Sequence, residues 1–564
     1  MTIAVPFRPI EGVLERAETW QAMRAAFRWR IPARLNLAEA LVGARARATP
    51  DRPALEFLRP DGEVRVWTYR DLERASARFA SALAARGLAC GDRMGLLLPQ
   101  TPEALIAHLA AWRLGAISVP LFTLFGEDAL AYRLDDSGAR MVVTDAANLP
   151  KLLAIRDDLG ELSTIWSTDR PTDCAWGFWQ ELAKASADAP MADTLADDPA
   201  LISYTSGTTG PPKGALHAHR ILYGHLPGFQ THHEFAPRRG DRMWTPADWA
   251  WLGGLANSMM PALALGVPQV VHRMAKFEPE RAWDLMRRLE VRNVFFPPTA
   301  LKLLRQRPVP KSPPRLRTIG AAGEALGESL LDWGLSAFGV TINEFYGQTE
   351  CNMVLGNCAD VFAPTPGSTG RAIPGHDVAI LDAAGQPLPD GELGEIAIAA
   401  PDPSMFLRYW NLPEKTAEKF VDGPDGRQWL RSGDEGRRDA DGNVFFSSRT
   451  DDVITSSGYR IGPTEIEDCL AGHPSVAMAA VVGLPDDVRT EAVTAFVVLA
   501  PGAAAQDLPE ALIARVRDRV SAHAAPRAVH VVDGLPMTAT GKIMRREVKR
   551  RALETPSADG PAPA

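Results

Sequence analysis

Between residues 68 and 144 the chain switches repeatedly from a helical apolar period to short apolar runs, and this alternation constrains its fold more than any other feature. Thr68-Tyr-Arg-Asp71 marks a helix start with an acidic third residue, after which Leu72, Ala75, Phe79, Ala82 and Leu83 recur at helical spacing. Gly87 stands where that helix should stop. Residues 92–98 read as a buried strand, 102–114 as a helix and 116–120 as a strand, with a further helix and strand ending at Met141-Val-Val-Thr144. The rhythm predicts a large α/β domain with mostly parallel sheets. No internal repeat stands out.

The texture changes after residue 385. Gly385-Gln-Pro-Leu-Pro-Asp-Gly391 is turn chemistry, Gly394-Glu-Ile-Ala-Ile398 alternates like a strand, and a turn at Asp439-Ala-Asp-Gly-Asn443 leads into Val444-Phe-Phe446. Beyond Asp451 a compact α+β pattern follows: helix 463–471, strands 476–482 and 492–498, helix 508–522 and strand 528–532. The expected division is a domain over 1–450, a second over 451–552, and a disordered Pro-, Ala- and Gly-rich tail over 553–564.

The 564 residues, 46% hydrophobic and 23% charged, suffice for a substantial core. A net charge of -8 argues against DNA or RNA as the main partner, although a locally basic pocket stays open. Cys90, Cys174, Cys351, Cys358 and Cys469 are odd in number and never spaced CxxC, which disfavours a disulfide framework or a structural zinc site. Charged residues interrupt positions 1–30, so no secretory leader is expected there. The most apolar stretch, 255–271, contains Asn257, Ser258, Pro261, Pro268 and Gln269 and reads as a buried helix and strand, not a membrane span. A soluble, cytoplasmic protein is expected.

The strongest chemical signal is Tyr204-Thr-Ser-Gly-Thr-Thr-Gly-Pro-Pro-Lys-Gly214. Its glycines let backbone N–H groups approach an anion, and the hydroxyls of Thr205, Ser206, Thr208 and Thr209, with Lys213, are donors for phosphate oxygens. Pro212 before the Lys and Gly214 after it exclude a Walker A loop. The bland alternative, a flexible surface loop, is countered by the strand-like Ala200-Leu-Ile-Ser203 before it.

This segment resembles the phosphate loop of the acyl-adenylate-forming superfamily, which includes acyl-CoA synthetases, luciferases and peptide-synthetase adenylation domains. Further motifs follow in that family's order. Gly323-Glu-Ala325 is similar to its adenine-binding segment, and Tyr346-Gly-Gln-Thr-Glu350 to the motif that gives a Thr to the α-phosphate and a Glu to Mg²⁺. Ser432-Gly-Asp434 resembles the Asp that holds the ribose, and Arg449-Thr-Asp-Asp-Val-Ile454 the ribose-binding Arg and the interdomain hinge. Gly458-Tyr-Arg-Ile-Gly-Pro463 and Gly541-Lys542 resemble motifs of the mobile C-terminal domain.

The resemblance implies a large multi-sheet N-terminal adenylate-forming domain, a small mobile α+β C-terminal domain, and an ATP-dependent carboxylic acid–CoA ligase of the acetyl-CoA or medium-chain acyl-CoA synthetase type. It implies Lys542, Thr349 and Glu350 as catalytic residues and Glu350 as the Mg²⁺ ligand. Thr205, Ser206, Gly207, Thr208, Thr209, Lys213, Gly323, Glu324, Ala325, Glu344, Phe345, Tyr346, Gln348, Asp434, Arg449, Gly458, Tyr459 and Arg460 are implied as nucleotide- and CoA-binding residues. His219, Trp251, Leu252, Gly253, Ala322 and Gly347 would line the acyl pocket, and Asp451 would be the hinge.

These residue types suit the chemistry. Activating a carboxylate with ATP brings two anions together, so the site must screen repulsion and stabilise a phosphoryl transition state. Mg²⁺ prefers oxygen ligands and keeps waters, which suits one carboxylate plus phosphate oxygens. Taken alone, Asp434 could be a solvated turn residue and Lys542 a surface charge, since Arg545, Arg546, Lys549, Arg550 and Arg551 form a basic face. As the family's lysine, Lys542 would bring a point ammonium on a flexible stem to the carboxylate and α-phosphate. The histidines of His217-Ala-His219 and His232-His233 are better read as core residues than metal ligands, and Cys351 as a buried thiol.

Thr245-Pro-Ala-Asp-Trp-Ala-Trp-Leu-Gly-Gly254 resembles the family's acyl-pocket motif. The acetate-specific branch caps a small pocket with Trp where this chain has Gly347, so the missing indole is expected to open apolar volume, each buried methylene contributing ~0.8 kcal/mol. A medium-chain, branched or cyclic/aromatic monocarboxylic acid is therefore expected. Short-chain ligation, a stand-alone adenylation enzyme loading a carrier protein, and an inactive nucleotide sensor are the rivals. The chain departs from the family pattern at Ala325, Ser448 and Thr490, the last two standing where Gly is usual. Pro536-Met-Thr-Ala-Thr-Gly-Lys542 has the Pro-x4-Gly-Lys spacing recognised by protein acetyltransferases acting on bacterial acyl-CoA synthetases, or simply shapes the loop presenting Lys542.

Overall fold

The computed structural model describes residues 7–205, 211–274, 276–324, 326–424, 426–449, 452–456, 459–486, 489–538 and 542–554, with the backbone alone at 455, 459 and 460. The alternation in the first half folds as expected. Thr68 caps the helix Tyr69–Ala85 in a capping box with Asp71, and Gly87 follows its end at φ +89°. Strands Arg93–Leu97, Ile117–Pro120, Ala139–Thr144 and Thr164–Ser167 pair in parallel, with helices in the crossovers. They belong to an eight-stranded sheet that continues through Pro199–Thr205 and its antiparallel partner Lys213–Ala218 to Arg408–Tyr409.

A nine-stranded sheet is parallel through Pro53–Leu58, Gln269–Val271, Met243–Trp244, Asn293–Phe296, Thr318–Ala321 and Ile342–Gln348, and antiparallel at its ends. Helices such as Pro102–Arg113 and Ile221–His232 have nearly every residue buried, and one apolar cluster joins Phe79, Trp112, Phe229, Phe295 and Phe345. The stretch 255–271 becomes a π-helical turn Leu255–Met259, the helix Met260–Leu265 and the strand Gln269–Val271. Among the described residues no helix is long and apolar enough to cross a membrane.

A five-stranded antiparallel sheet follows, with Gly394–Ala399, Gln428–Arg438 and Val444–Arg449 adjacent. The C-terminal part has its own five-stranded sheet, built on the pair Val476–Asp486 and Thr490–Leu499 and covered by helices Pro463–Ala471 and Leu508–Arg519. The helix Arg545–Glu554 extends two residues into the stretch read from sequence as a disordered tail, with Arg550 paired both to Glu547 in the first turn and to Glu554 at the end. The expected 450/451 boundary lies outside the described residues.

Candidate active site

A cavity of about 2140 Å³ opens where both large sheets, the antiparallel sheet and the C-terminal part meet. Of the sequence candidates, Thr205, Lys213, Trp251, Leu252, Gly253, Ala322, Gly323, Glu324, Glu344, Phe345, Tyr346, Gly347, Gln348, Thr349, Glu350, Asp434, Arg449 and Lys542 line it. Ser206, Gly207, Thr208, Thr209, Ala325, Asp451 and Gly458, and the side chains of Tyr459 and Arg460, lie outside the described residues.

The candidate phosphate loop spans a hairpin. Thr205 pairs with Lys213 across the two strands, and the Thr205 hydroxyl donates to the Lys213 carbonyl at 3.3 Å, so strand pairing fixes both ends of the loop. The Lys213 ammonium lies 4.8 Å from the ring centroid of Tyr409, whose hydroxyl donates to Glu350 Oε1. Tyr409 thus links the loop lysine to the candidate metal carboxylate. Among the described residues no group of three or more His, Cys, Asp or Glu could hold a metal ion. A lone oriented carboxylate suits Mg²⁺, which takes its other ligands from phosphate and water, so Glu350 fits the role.

Around Asp434 the polar groups converge. Arg449 Nη1 lies 3.2 Å from Oδ1, and the Tyr346 hydroxyl donates to Oδ2 at 2.5 Å. Burial raises the Asp434 carboxyl, while Arg449, Tyr346, Lys419 and Lys542 oppose that shift. Gln348 donates to the Ser432 carbonyl at 3.0 Å, which ties the Tyr346–Glu350 segment to the Asp434 strand. Lys419, which sequence reasoning missed, donates to the same carbonyl at 3.3 Å and lines the cavity. Burial lowers its ammonium, and the charges of Glu350 and Asp434 counter this while Arg449 and Lys213 add to it. It sits among Glu414, Lys415 and Glu418 after a short helix, so the sequence offers only a surface charge run.

Lys542 comes from the C-terminal part. Its backbone N–H donates to Thr538 Oγ1 at 3.0 Å and its carbonyl accepts from Thr538 N at 2.8 Å, closing the loop that presents it. A Cβ on Gly323 would lie 3.8 Å from Lys542 Cε. The side chain stays accessible inside the open cavity, yet desolvation by the surrounding protein lowers its ammonium while Glu324 and Asp434 raise it. Glu324 is itself paired with Lys302 at 3.1 Å. Glu344 is pushed up to about 8 by burial and then by Asp468, which the helix Pro463–Ala471 brings to the cavity and which burial raises to about 6.

Two expectations need correction. His219 does not line the cavity: it is fully buried, Nδ1 accepts from the Leu37 N–H at 3.2 Å, and burial lowers it to about 4. Its place one residue beyond the strand Lys213–Ala218 carries it beneath the N-terminal segment. Gly347 does line the cavity, but it does not open volume there. An added Cβ would strike the Met353 backbone nitrogen and come within 2.7 Å of Asn352 Cα, because a bulge between Tyr346 and Gln348 turns this position toward the hairpin partner Cys351–Gly356. At Thr490, where the family pattern has Gly, φ is +74°, a conformation costly for a β-branched residue.

Residues 42–410 match the family model described as AMP-binding enzyme, and residues 465–542 match the AMP-binding enzyme C-terminal domain. The chain is 32% identical over 557 residues to an acetyl-coenzyme A synthetase of Pasteurella multocida, covering 92% of this chain and 84% of that protein. It is 31% identical over 550 residues to a mitochondrial acyl-coenzyme A synthetase of Mus musculus, covering 95% and 94%. An anthranilate CoA ligase solved with anthranoyl-AMP superimposes with a TM-score of 0.83 at 27% identity, covering 93% of this chain and 99% of that one. The chain belongs to the AMP-binding enzyme family. Its reaction is ATP-dependent ligation of a carboxylic acid to CoA through an acyl-AMP, with Mg²⁺.

Proposed function

We propose that the acid is a medium-chain, branched or cyclic/aromatic monocarboxylic acid. The carrying observation is the apolar end of the cavity, where Trp251, Leu252, Phe295 and Phe345 form one wall and Trp251 and Phe295 stand 6.3 Å apart. The anthranilate ligase, which acts on a ring acid, supports this choice.

In the first half-reaction a carboxylate oxygen attacks the α-phosphorus and pyrophosphate leaves. The loop 205–213 cradles the phosphates, Asp434 and Arg449 hold the ribose, and Thr349 and Lys542 stabilise charge on the α-phosphate. Bound at Glu350, Mg²⁺ supplies charge neutralisation for the leaving group. In the second, the CoA sulfur attacks the acyl carbon and AMP leaves, with Asp451 as the hinge of the C-terminal part and Gly458, Tyr459 and Arg460 as cofactor-binding residues. A protein acetyltransferase acting on Lys542 would remove the ammonium and halt the first step. The setting is cytoplasmic.

A panel of carboxylic acids with ATP and Mg²⁺, with and without CoA, tests this reading through AMP and thioester formation. Apolar acids of five to nine carbons should give CoA-dependent thioester well above acetate. Preference for acetate, or acyl transfer to a carrier protein in place of CoA, would overturn it.

A further inference from the structure

The apolar end of the cavity carries one polar feature that the ligase reaction does not use. Asn257 and Asn352 both line it, at 3% and 7% exposure. Asn352 Oδ1 accepts from the Met353 N–H at 2.9 Å, which leaves Nδ2 as its donor, and that group donates to Asn257 Oδ1 at 2.9 Å. This one-way chain determines which end of the Asn257 amide is which. Its oxygen already accepts one hydrogen bond. Its Nδ2 has no acceptor among the described residues and is not sealed from the cavity.

The location is the acyl end. Asn257 stands in the π-helical turn Leu255–Met259, just beyond Trp251 and Gly253, and such turns concentrate at functional positions. Asn352 Oδ1 lies 2.5 Å from where a Gly347 Cβ would be. The wall around the pair, Trp251, Leu252, Phe295 and Phe345, is uncharged. A nine-tenths-buried amide donor with no partner is costly unless a ligand or water meets it.

Building on the ligase reading, we propose that the acid's tail carries a neutral hydrogen-bond acceptor, a keto, ether or hydroxyl oxygen, which accepts from Asn257 Nδ2. The rest of the tail is apolar. A second carboxylate does not fit beside Asn257, because Trp251, Leu252, Phe295, Phe345 and Asn352 carry no charge to pair with it. Asn257 is the residue that sets this specificity, and Asn352 positions it.

Isosteric acid pairs test the proposal: 4-oxopentanoate against 4-methylpentanoate, 5-oxohexanoate against 5-methylhexanoate, and 4-methoxybenzoate against 4-ethylbenzoate. Acid-dependent pyrophosphate release is measured for the wild type, Asn257→Leu and Asn257→Asp. In at least one pair the wild type should favour the oxygen-bearing acid by about tenfold or more in kcat/KM, and both variants should lose that ratio. Each value compares two acids on the same enzyme, so partial misfolding cancels, and the wild-type ratio stands alone if a variant fails to fold. Preference for the hydrocarbon member in every pair, or an unchanged ratio in both variants, overturns the proposal while leaving the ligase reading intact. No acid-dependent pyrophosphate release with any acid would overturn the ligase reading and the proposal with it.

Discussion

The Tyr409 hydroxyl donates to Glu350 Oε1 while its ring faces the Lys213 ammonium, so one tyrosine orients groups from two separate motifs. Glu350 is 8% exposed and Tyr409 1%, leaving the carboxylate little freedom of its own. Tyr409→Phe keeps the ring and removes the donor. The Mg²⁺ concentration for half-maximal pyrophosphate exchange should rise roughly tenfold or more, as for other losses of a group that orients a metal ligand. An unchanged Mg²⁺ dependence would mean that Glu350 is positioned without Tyr409.

Lys419 faces the same space. Lys419→Met should raise KM for ATP by about tenfold, the usual worth of a charge-assisted contact, with kcat less affected and Lys419→Arg partly restoring it. If KM for ATP stays put, the ammonium serves only the Ser432 carbonyl.

Gly347 is needed for backbone approach. Gly347→Ala should destabilise the protein by ~1–3 kcal/mol, read as a lower Tm, because two of the three nearest atoms, Met353 N and Asn352 Cα, are backbone and cannot swing aside. Gly347→Trp should lose adenylation of short and long acids alike. A tryptophan variant that folds well and retains acetate would show that a side chain here can reach the acyl space.

The motif residues that line the cavity were legible in the sequence because each sits in a short local pattern: a hairpin carries Lys213, the turn between two strands carries Thr349 and Glu350, and Asp434 follows Ser432-Gly433. Their partners were not. Tyr409 is 59 positions from Glu350 and Asn257 is 95 from Asn352, separations that only the fold closes. Spacing also says nothing of where a Cβ points: the sequence presents Gly347 as open volume, whereas the bulge beside it turns the position toward the strand Cys351–Gly356. The strand-helix rhythm places the elements because its periodicity directly reflects burial, whereas His219 stands one residue past its strand, where spacing does not say which way the side chain turns.

Glu344 gives a pH signature. Its folded value of about 8 lies above the ordinary carboxyl value of 4.5, so between these limits the native state holds a proton that the unfolded chain has lost. Stability is therefore fully present below the lower limit and declines as pH rises through the window to about 8. Tm of the wild type should fall from pH 5 to pH 8 more steeply than that of Glu344→Gln. Parallel curves would contradict a protonated Glu344.

Lys542 tests the central claim, that this cavity activates an acid by adenylation with a lysine delivered from the C-terminal part. With Lys542→Ala, acid-dependent pyrophosphate exchange and thioester formation from synthetic acyl-AMP plus CoA should be measured on the same preparation. Exchange should fall by roughly a hundredfold or more, as for loss of one preorganised transition-state donor, while thioester formation is largely spared. Equal loss of both half-reactions, or undiminished exchange, would contradict the account.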